Sequence, residues 1–258
     1  MVITIPTIRS QLRESYKIIL TILVVAIAIQ LSSKIPLDFF ESEIVASTAI
    51  VILPLAVAIS SFTVSRNYGG SKIFGKSYFI LGVSYLLFFL GEATFYFYID
   101  SFGESEFGMF TEIMFLTSMT LLIMHIIINI RYFTEKFETY QKILLVVIPS
   151  IIVVGYGISL IGALSDNPDG YFFNLIVTAQ SAVSLGLIIV AFTVFRQTAL
   201  FVPWFLLLIG FLFSTMGDTL YRYTDTVASY DTADPATGLW LASSMMVIYA
   251  LYKHQKSI

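Results

Sequence analysis

Two carboxylates recur in matching surroundings, each inside a stretch otherwise fit for lipid. Gly91-Glu92-Ala93-Thr94-Phe95-Tyr96-Phe97 returns as Gly217-Asp218-Thr219-Leu220-Tyr221-Arg222-Tyr223. An ionisable side chain in a membrane segment is expensive, and its default reading is a functional one. Asp218 and Arg222 stand four residues apart with the acid nearer the N-terminus, the favourable order for a helical ion pair. A structural salt bridge and a functional pair are both open readings, because the two look alike in sequence. Glu92 has no such base, since Tyr96 occupies the place of Arg222. It is therefore protonated, or accepts hydrogen bonds from Tyr96 or another span, or binds a cation or a proton.

Glu112 is the third acid, expected one turn into the fourth span, and its counterpart in the second copy is Gly238. Either it approaches Glu92, so that the pair shares a proton or holds a cation, or it caps a helix start and faces water. Aromatic residues crowd the same level: Phe95, Tyr96, Phe97, Tyr98, Tyr221, Tyr223 and Tyr230. They read as an interfacial belt, or as faces that would suit a small organic cation held by the acids. The candidate ligand- or ion-binding set is thus Glu92, Asp218, Arg222, Glu112, Tyr96 and Tyr221.

The elements that must position these residues are membrane helices. The chain has 258 residues, of which 57% are apolar and 12% charged, with a mean hydropathy of +0.87. That composition lies far outside the range of soluble domains. Apolar stretches near residues 15–33, 43–65, 74–99, 109–131, 142–164, 171–195, 199–224 and 236–253 are each long enough to cross about 30 Å of hydrocarbon. The expected fold is an all-α membrane protein with eight transmembrane helices.

Loop charges orient it. Arg9, Arg13 and Lys17 precede the first span; Arg66, Lys72 and Lys76 follow the second; Arg131, Lys136 and Lys142 follow the fourth; Arg196 follows the sixth; Lys253 and Lys256 close the eighth. The alternate loops carry Asp38, Glu41, Glu43, Asp100, Glu104, Glu106, Asp166, Asp169, Asp225, Asp231 and Asp234, and only Lys34 and Arg222 break the segregation of basic residues. Because basic loops stay cytoplasmic, both termini are expected in the cytoplasm of a cell-membrane protein. The first apolar run, Ile18 to Leu31, resembles a secretory signal but reads as a retained signal anchor, since Tyr16-Lys17-Ile18-Ile19-Leu20 returns as Gln141-Lys142-Ile143-Leu144-Leu145.

The repeat holds over several motifs. An offset of 130 pairs Phe62-Thr63-Val64-Ser65-Arg66 with Phe192-Thr193-Val194-Phe195-Arg196; an offset of 126 pairs Glu92 with Asp218, Thr111 with Thr237 and Ser118 with Ser244. Residues 1–137 read as a first four-helix repeat and 138–258 as a second, together one membrane domain. An even number of spans per copy makes the repeats parallel, and sites in such proteins lie between copies. Counting from Asp100 and Asp225, Glu92 and Asp218 lie roughly 10 to 12 Å below the outer boundary at 1.5 Å per residue.

Several chemistries are excluded. There is no cysteine, so no disulfide, iron–sulfur cluster or Cys-ligated zinc. His125 and Asn129 are four residues apart near the inner end of the fourth span, where an interhelical hydrogen-bond pair is the expectation. With His254 placed in a cytoplasmic tail, the two histidines sit on different levels and form no metal motif. No H-E-x-x-H, P-loop, nucleophile elbow or dinucleotide fingerprint occurs. Residues 235–252 contain no lysine for a retinal Schiff base, and the histidines are too few for a ceramidase-type hydrolase. No cofactor, no enzymatic activity and no nucleic-acid partner are expected.

Gly217-Asp218-Thr219-Leu220-Tyr221-Arg222-Tyr223, an outer loop, Leu239-Trp240-Leu241-Ala242-Ser243-Ser244 and the exit Tyr249-Ala250-Leu251-Tyr252-Lys253-His254 resemble the last two spans of multi-helix sensory regions in prokaryotic membrane signalling proteins. The resemblance covers about fifty residues. It implies perception of a small ligand or of the membrane state, ahead of a cytoplasmic output domain. This chain runs only to Ile258, so signalling is expected to need a membrane or cytoplasmic partner protein. The reading is a sensor-like or accessory membrane subunit with a small polar or cationic ligand between the repeats; the alternative is a secondary transporter or proton-coupled carrier using Glu92 and Asp218. Pro54, Pro149, Pro203 and the glycines 155, 157 and 162 are the candidate helix interruptions that a carrier would need. A third class is a structural subunit whose acids only join helices.

Overall fold

The computed structural model describes residues 8–35, 43–69, 71, 73–96, 104–228 and 230–257, without the side chains of 8–11 and 104–109. Asp38, Glu41, Lys72, Phe97, Tyr98 and Asp100 lie outside the described residues. The described elements are α1 (Ile8–Ser32), α2 (Ile44–Asn67), α3 (Phe74–Thr94), α4 (Glu104–Phe133), α5 (Thr139–Ser159), α6 (Ala163–Asp166), α7 (Pro168–Phe195), α8 (Phe201–Val227) and α9 (Pro235–Lys256). Among the described residues there is no strand.

Seven of these helices, α1 to α5, α7 and α8, are long and apolar enough to cross a membrane. The protein is thus an all-α, multi-pass membrane protein in contact with lipid. α9 is outside that set; its small and hydroxylated residues Ala236, Thr237, Gly238, Ser243 and Ser244 are all buried. A helix sheathed by other helices need not be apolar all round, and small residues let backbones approach. α5 has the opposite character: Val146, Ile151 and Ile158 are exposed, Ile158 by 68%, as lipid-facing residues are.

Helix starts and stops follow from local chemistry. Asn167 accepts a bond from the Gly170 N–H with Pro168 in the first turn of α7, and Asp234 accepts from the Ala236 N–H with Pro235 in the first turn of α9. The Asn167-Pro168 start also shortens the preceding element. The fifth span was expected to reach residue 164, but α5 stops at Ser159 and the chain turns through α6 into the cap of α7.

The packing is cyclic. α3 lies between α2 and α4, α4 packs on α7, α7 on α8, α8 on α9, and α9 on α2, which closes a ring of six helices. α5 lies against α7, and α1 against α9 and α2. Polar contacts fix α1 to α9: Tyr249 donates to Ser15 Oγ at 3.2 Å, Glu14 pairs with Lys253 at 3.7 Å, and Gln30 donates to the Ala233 carbonyl just before α9 at 3.0 Å. Inside the ring Tyr78, Leu81, Ile126, Ile188, Trp204 and Leu207 are almost fully buried. They fill the half of the bundle that holds the N-terminal parts of α3 and α8.

Candidate functional site

The C-terminal half of α8 places Asp218 at the junction of α7 and α9. Gly217 makes the approach possible: a Cβ there would sit 2.8 Å from Trp240 Cδ1, so only glycine lets the indole lie flat on this turn. Trp240 Nε1 then donates to Asp218 Oδ1 at 2.9 Å, and Ser181 Oγ of α7 donates to Oδ2 at 2.7 Å. Asp218 is 8% exposed. Each carboxylate oxygen therefore has a donor, as burial of a polar group requires.

The ion pair between Asp218 and Arg222 does not form. Arg222 Nη1 donates instead to Asn174 Oδ1 on α7 at 2.8 Å, and the guanidinium lies 5.4 Å from the ring centroids of Phe173 and Tyr221. The reason is the neighbour. α7 runs antiparallel to α8 and presents Ser181 and, two turns away, Asn174, so each charged group finds a partner across the helix interface. A same-helix pair contributes only about 0.2–0.5 kcal/mol and loses to these contacts.

Glu92 is equally buried, 8% exposed, near the C-terminal end of α3. Its preceding glycine has the same steric role: a Cβ on Gly91 would meet Phe115 of α4 at 2.8 Å. Here the intruding ring is phenylalanine and has nothing to donate. Among the described residues, Glu92 accepts no hydrogen bond.

Both acids line one cavity of about 320 Å³. Tyr96, Glu112, Tyr221 and Arg222 line it too, so the six residues singled out by sequence share one space. Phe88, Phe95, Thr111, Phe115, Met119, Val177, Tyr230 and Trp240 complete its wall. Tyr221, Tyr230 and Trp240 form an aromatic corner, with centroid separations of 4.9 Å between Tyr221 and Tyr230, 5.2 Å between Tyr221 and Trp240, and 6.1 Å between Tyr230 and Trp240. Tyr230, in the segment between α8 and α9, shares a 2.7 Å hydrogen bond with Thr237. Burial pushes its hydroxyl up to about 12, so it stays protonated.

Glu112 lies just inside the apolar stretch Phe110–Phe133 of α4. α4 begins at Glu104, so Glu112 lies two turns inside the helix rather than at its start, where it is exposed and lines the cavity from the α4 side. It caps nothing. At its sequence counterpart Gly238, Gln30 Oε1 of α1 occupies the position a Cβ would need.

Sequence reasoning missed Ser181, Asn174 and the donor role of Trp240. Ser181 and Asn174 stand seven residues apart on α7, the spacing of one helix face, and that was the available signal.

The opposite end of the bundle holds a second polar cluster. Ser77 Oγ of α3 lies 2.8 Å from His125 Nδ1 of α4, and Asn129 Nδ2 donates to Ser77 Oγ and to the His125 carbonyl, so the expected interhelical pair extends through Ser77. His254 is not in a tail. It is buried on α9, with Nε2 2.7 Å from the Tyr68 hydroxyl and Nδ1 3.3 Å from that of Tyr78. Nor are the histidines on different levels, because both rings flank Tyr78, at 5.0 Å for His125 and 4.7 Å for His254. The closed ring packs α9 on α2, and the end of α9 brings His254 to Tyr68 and to Tyr78 of α3. Among the described residues, no three His, Asp or Glu side chains come together as metal ligands.

No protein-family model matches the chain, and neither does any curated protein or solved structure.

Proposed function

We propose that the chain is a non-enzymatic, sensor-like or accessory membrane subunit that binds a small polar ligand in the cavity between two parallel four-helix repeats, in the outer half of the membrane. In this reading α9 is the eighth span and both termini are cytoplasmic. At 22 residues, α9 is roughly 33 Å long, enough to cross. The packing supports the repeat: α2 lies on α9 as α4 lies on α7, and those two contacts are equivalent when α2 is matched with α7 and α4 with α9. The cavity sits between the copies, with Glu92 from the first and Asp218 from the second.

The observation that carries the reading is the one-sided distribution of space. Every lining residue belongs to the half with the C-terminal ends of α3 and α8. Eleven to fourteen residues before the acids on those helices, Tyr78, Leu81, Trp204 and Leu207 close the interior. A carrier needs a polar or broken route to both faces. Pro54 and Pro149 lie inside continuous helices, Pro54 is buried, and Pro149 packs against Gly186 of α7.

The second reading, a secondary transporter or proton-coupled carrier, rests on the two acids sharing one cavity. Reconstitution in liposomes separates the two. The sensor reading expects saturable small-molecule binding with no flux. Proton or solute flux that Asp218→Asn abolishes would establish the carrier. If neutralising Glu92 and Asp218 changes only the recovery of an assembled complex, the chain is a structural subunit.

A further inference from the structure

We infer that the cavity takes a small organic ammonium ion, whose charge lies against Glu92 and whose substituents lie against the aromatic corner of Tyr221, Tyr230 and Trp240. The inference rests on the proposed ligand pocket and names the class of its ligand. It starts from what the two acids lack. Asp218 is satisfied by Ser181 and Trp240. Glu92, just as buried, lines the same cavity with no donor among the described residues. A carboxylate on a cavity wall with no donor among the described residues can take one from a ligand in that cavity.

The other walls narrow the class. A hard metal ion wants about six or more oxygen ligands, whereas this lining is mostly aromatic and apolar. An anion would face Glu92, Asp218 and Glu112, and the one guanidinium on the wall is already engaged by Asn174 and by the rings of Phe173 and Tyr221. An ammonium group satisfies both kinds of surface, because a carboxylate and the faces of Tyr and Trp attract the same charge. About 320 Å³ lies at the small end of ligand pockets, which run from about 300 to 1,000 Å³. That size fits choline or an arylalkylamine and leaves little room for more.

The chain provides its own reporter. It has two tryptophans, Trp204 and Trp240. Trp204 is buried in the opposite half and its Nε1 has no hydrogen-bond partner, so Trp204→Phe removes an indole that donates nothing. In nanodiscs, the Trp204→Phe protein is titrated with choline and benzylammonium, each against its uncharged counterpart, 3,3-dimethylbutan-1-ol and benzyl alcohol, while Trp240 fluorescence is followed. Saturable responses are expected for the cations, with affinity at least about tenfold above the uncharged compounds. Glu92→Gln should remove that preference with far-UV circular dichroism unchanged, and Tyr230→Leu, in the segment outside the helices, should weaken cation binding severalfold. Equal affinity for charged and uncharged probes, or full cation affinity in Glu92→Gln, would overturn the ammonium assignment and leave the pocket reading standing. Silence of Trp240 toward all four probes would overturn both.

Discussion

Glu92 and Asp218 occupy matching places and lead different lives. Each follows a glycine, each is 8% exposed, and each glycine admits an aromatic ring from the next helix in the ring. The difference lies in what surrounds them. The two donors to Asp218 are Ser181 and Trp240; the residues 130 and 126 positions earlier are Val51 and Met114, neither of which can donate. Two acids in similar sequence surroundings can thus differ, one held as a structural joint and the other left open. The acid to suspect of a function is the one whose partners are missing, not the one whose partners are many.

The largest effect expected from this contrast is on stability. Asp218→Leu strands Trp240 Nε1 in the interior and leaves Ser181 Oγ only Thr215, and should destabilise by roughly 1–3 kcal/mol, whereas Glu92→Leu removes an acid with no hydrogen bond among the described residues and should leave stability unchanged or raise it. Thermal unfolding in detergent measures both, and equal losses would end the distinction. Next come the glycines. Gly217→Ala should cost about 1–2 kcal/mol, because Trp240 must shift and release Asp218, while Gly91→Ala displaces only the Phe115 ring and should cost less. Val51→Ser offers Glu92 the kind of donor that Asp218 has. It should weaken choline binding a few-fold in the Trp240 assay, and unchanged affinity would show that the matching of α2 with α7 does not extend to this side chain. The smallest effect should come from the far end. Tyr68→Phe deletes the bond to His254 and should cost about 1 kcal/mol, with no change in affinity at the cavity.

Some of the site was legible in the chain. Glu92, Asp218, Arg222, Glu112, Tyr96 and Tyr221 stand out as charges and aromatics in apolar stretches, and they do line one cavity. Their pairings were not legible. The i, i+4 rule joins Asp218 to Arg222, but it knows only one helix, and α7 offers both residues partners from outside. The same limit misplaced His254, which near the end of the chain reads as a tail residue and in the structure touches Tyr68 and Tyr78. It also hid the meaning of Gly238, whose vacancy belongs to Gln30 of α1.

The sequence by itself determined that the chain is helical and lives in a membrane, and where along each helix the acids fall. Those properties follow from hydropathy, helical rise and the high free energy of a charge in lipid, all of which act within a single segment. Only the tertiary structure decided which acid is satisfied and which is open, that α9 is buried deeply enough to be polar, and that the histidines meet. Each of these depends on which helices become neighbours when the ring closes, and no spacing along one helix contains that information.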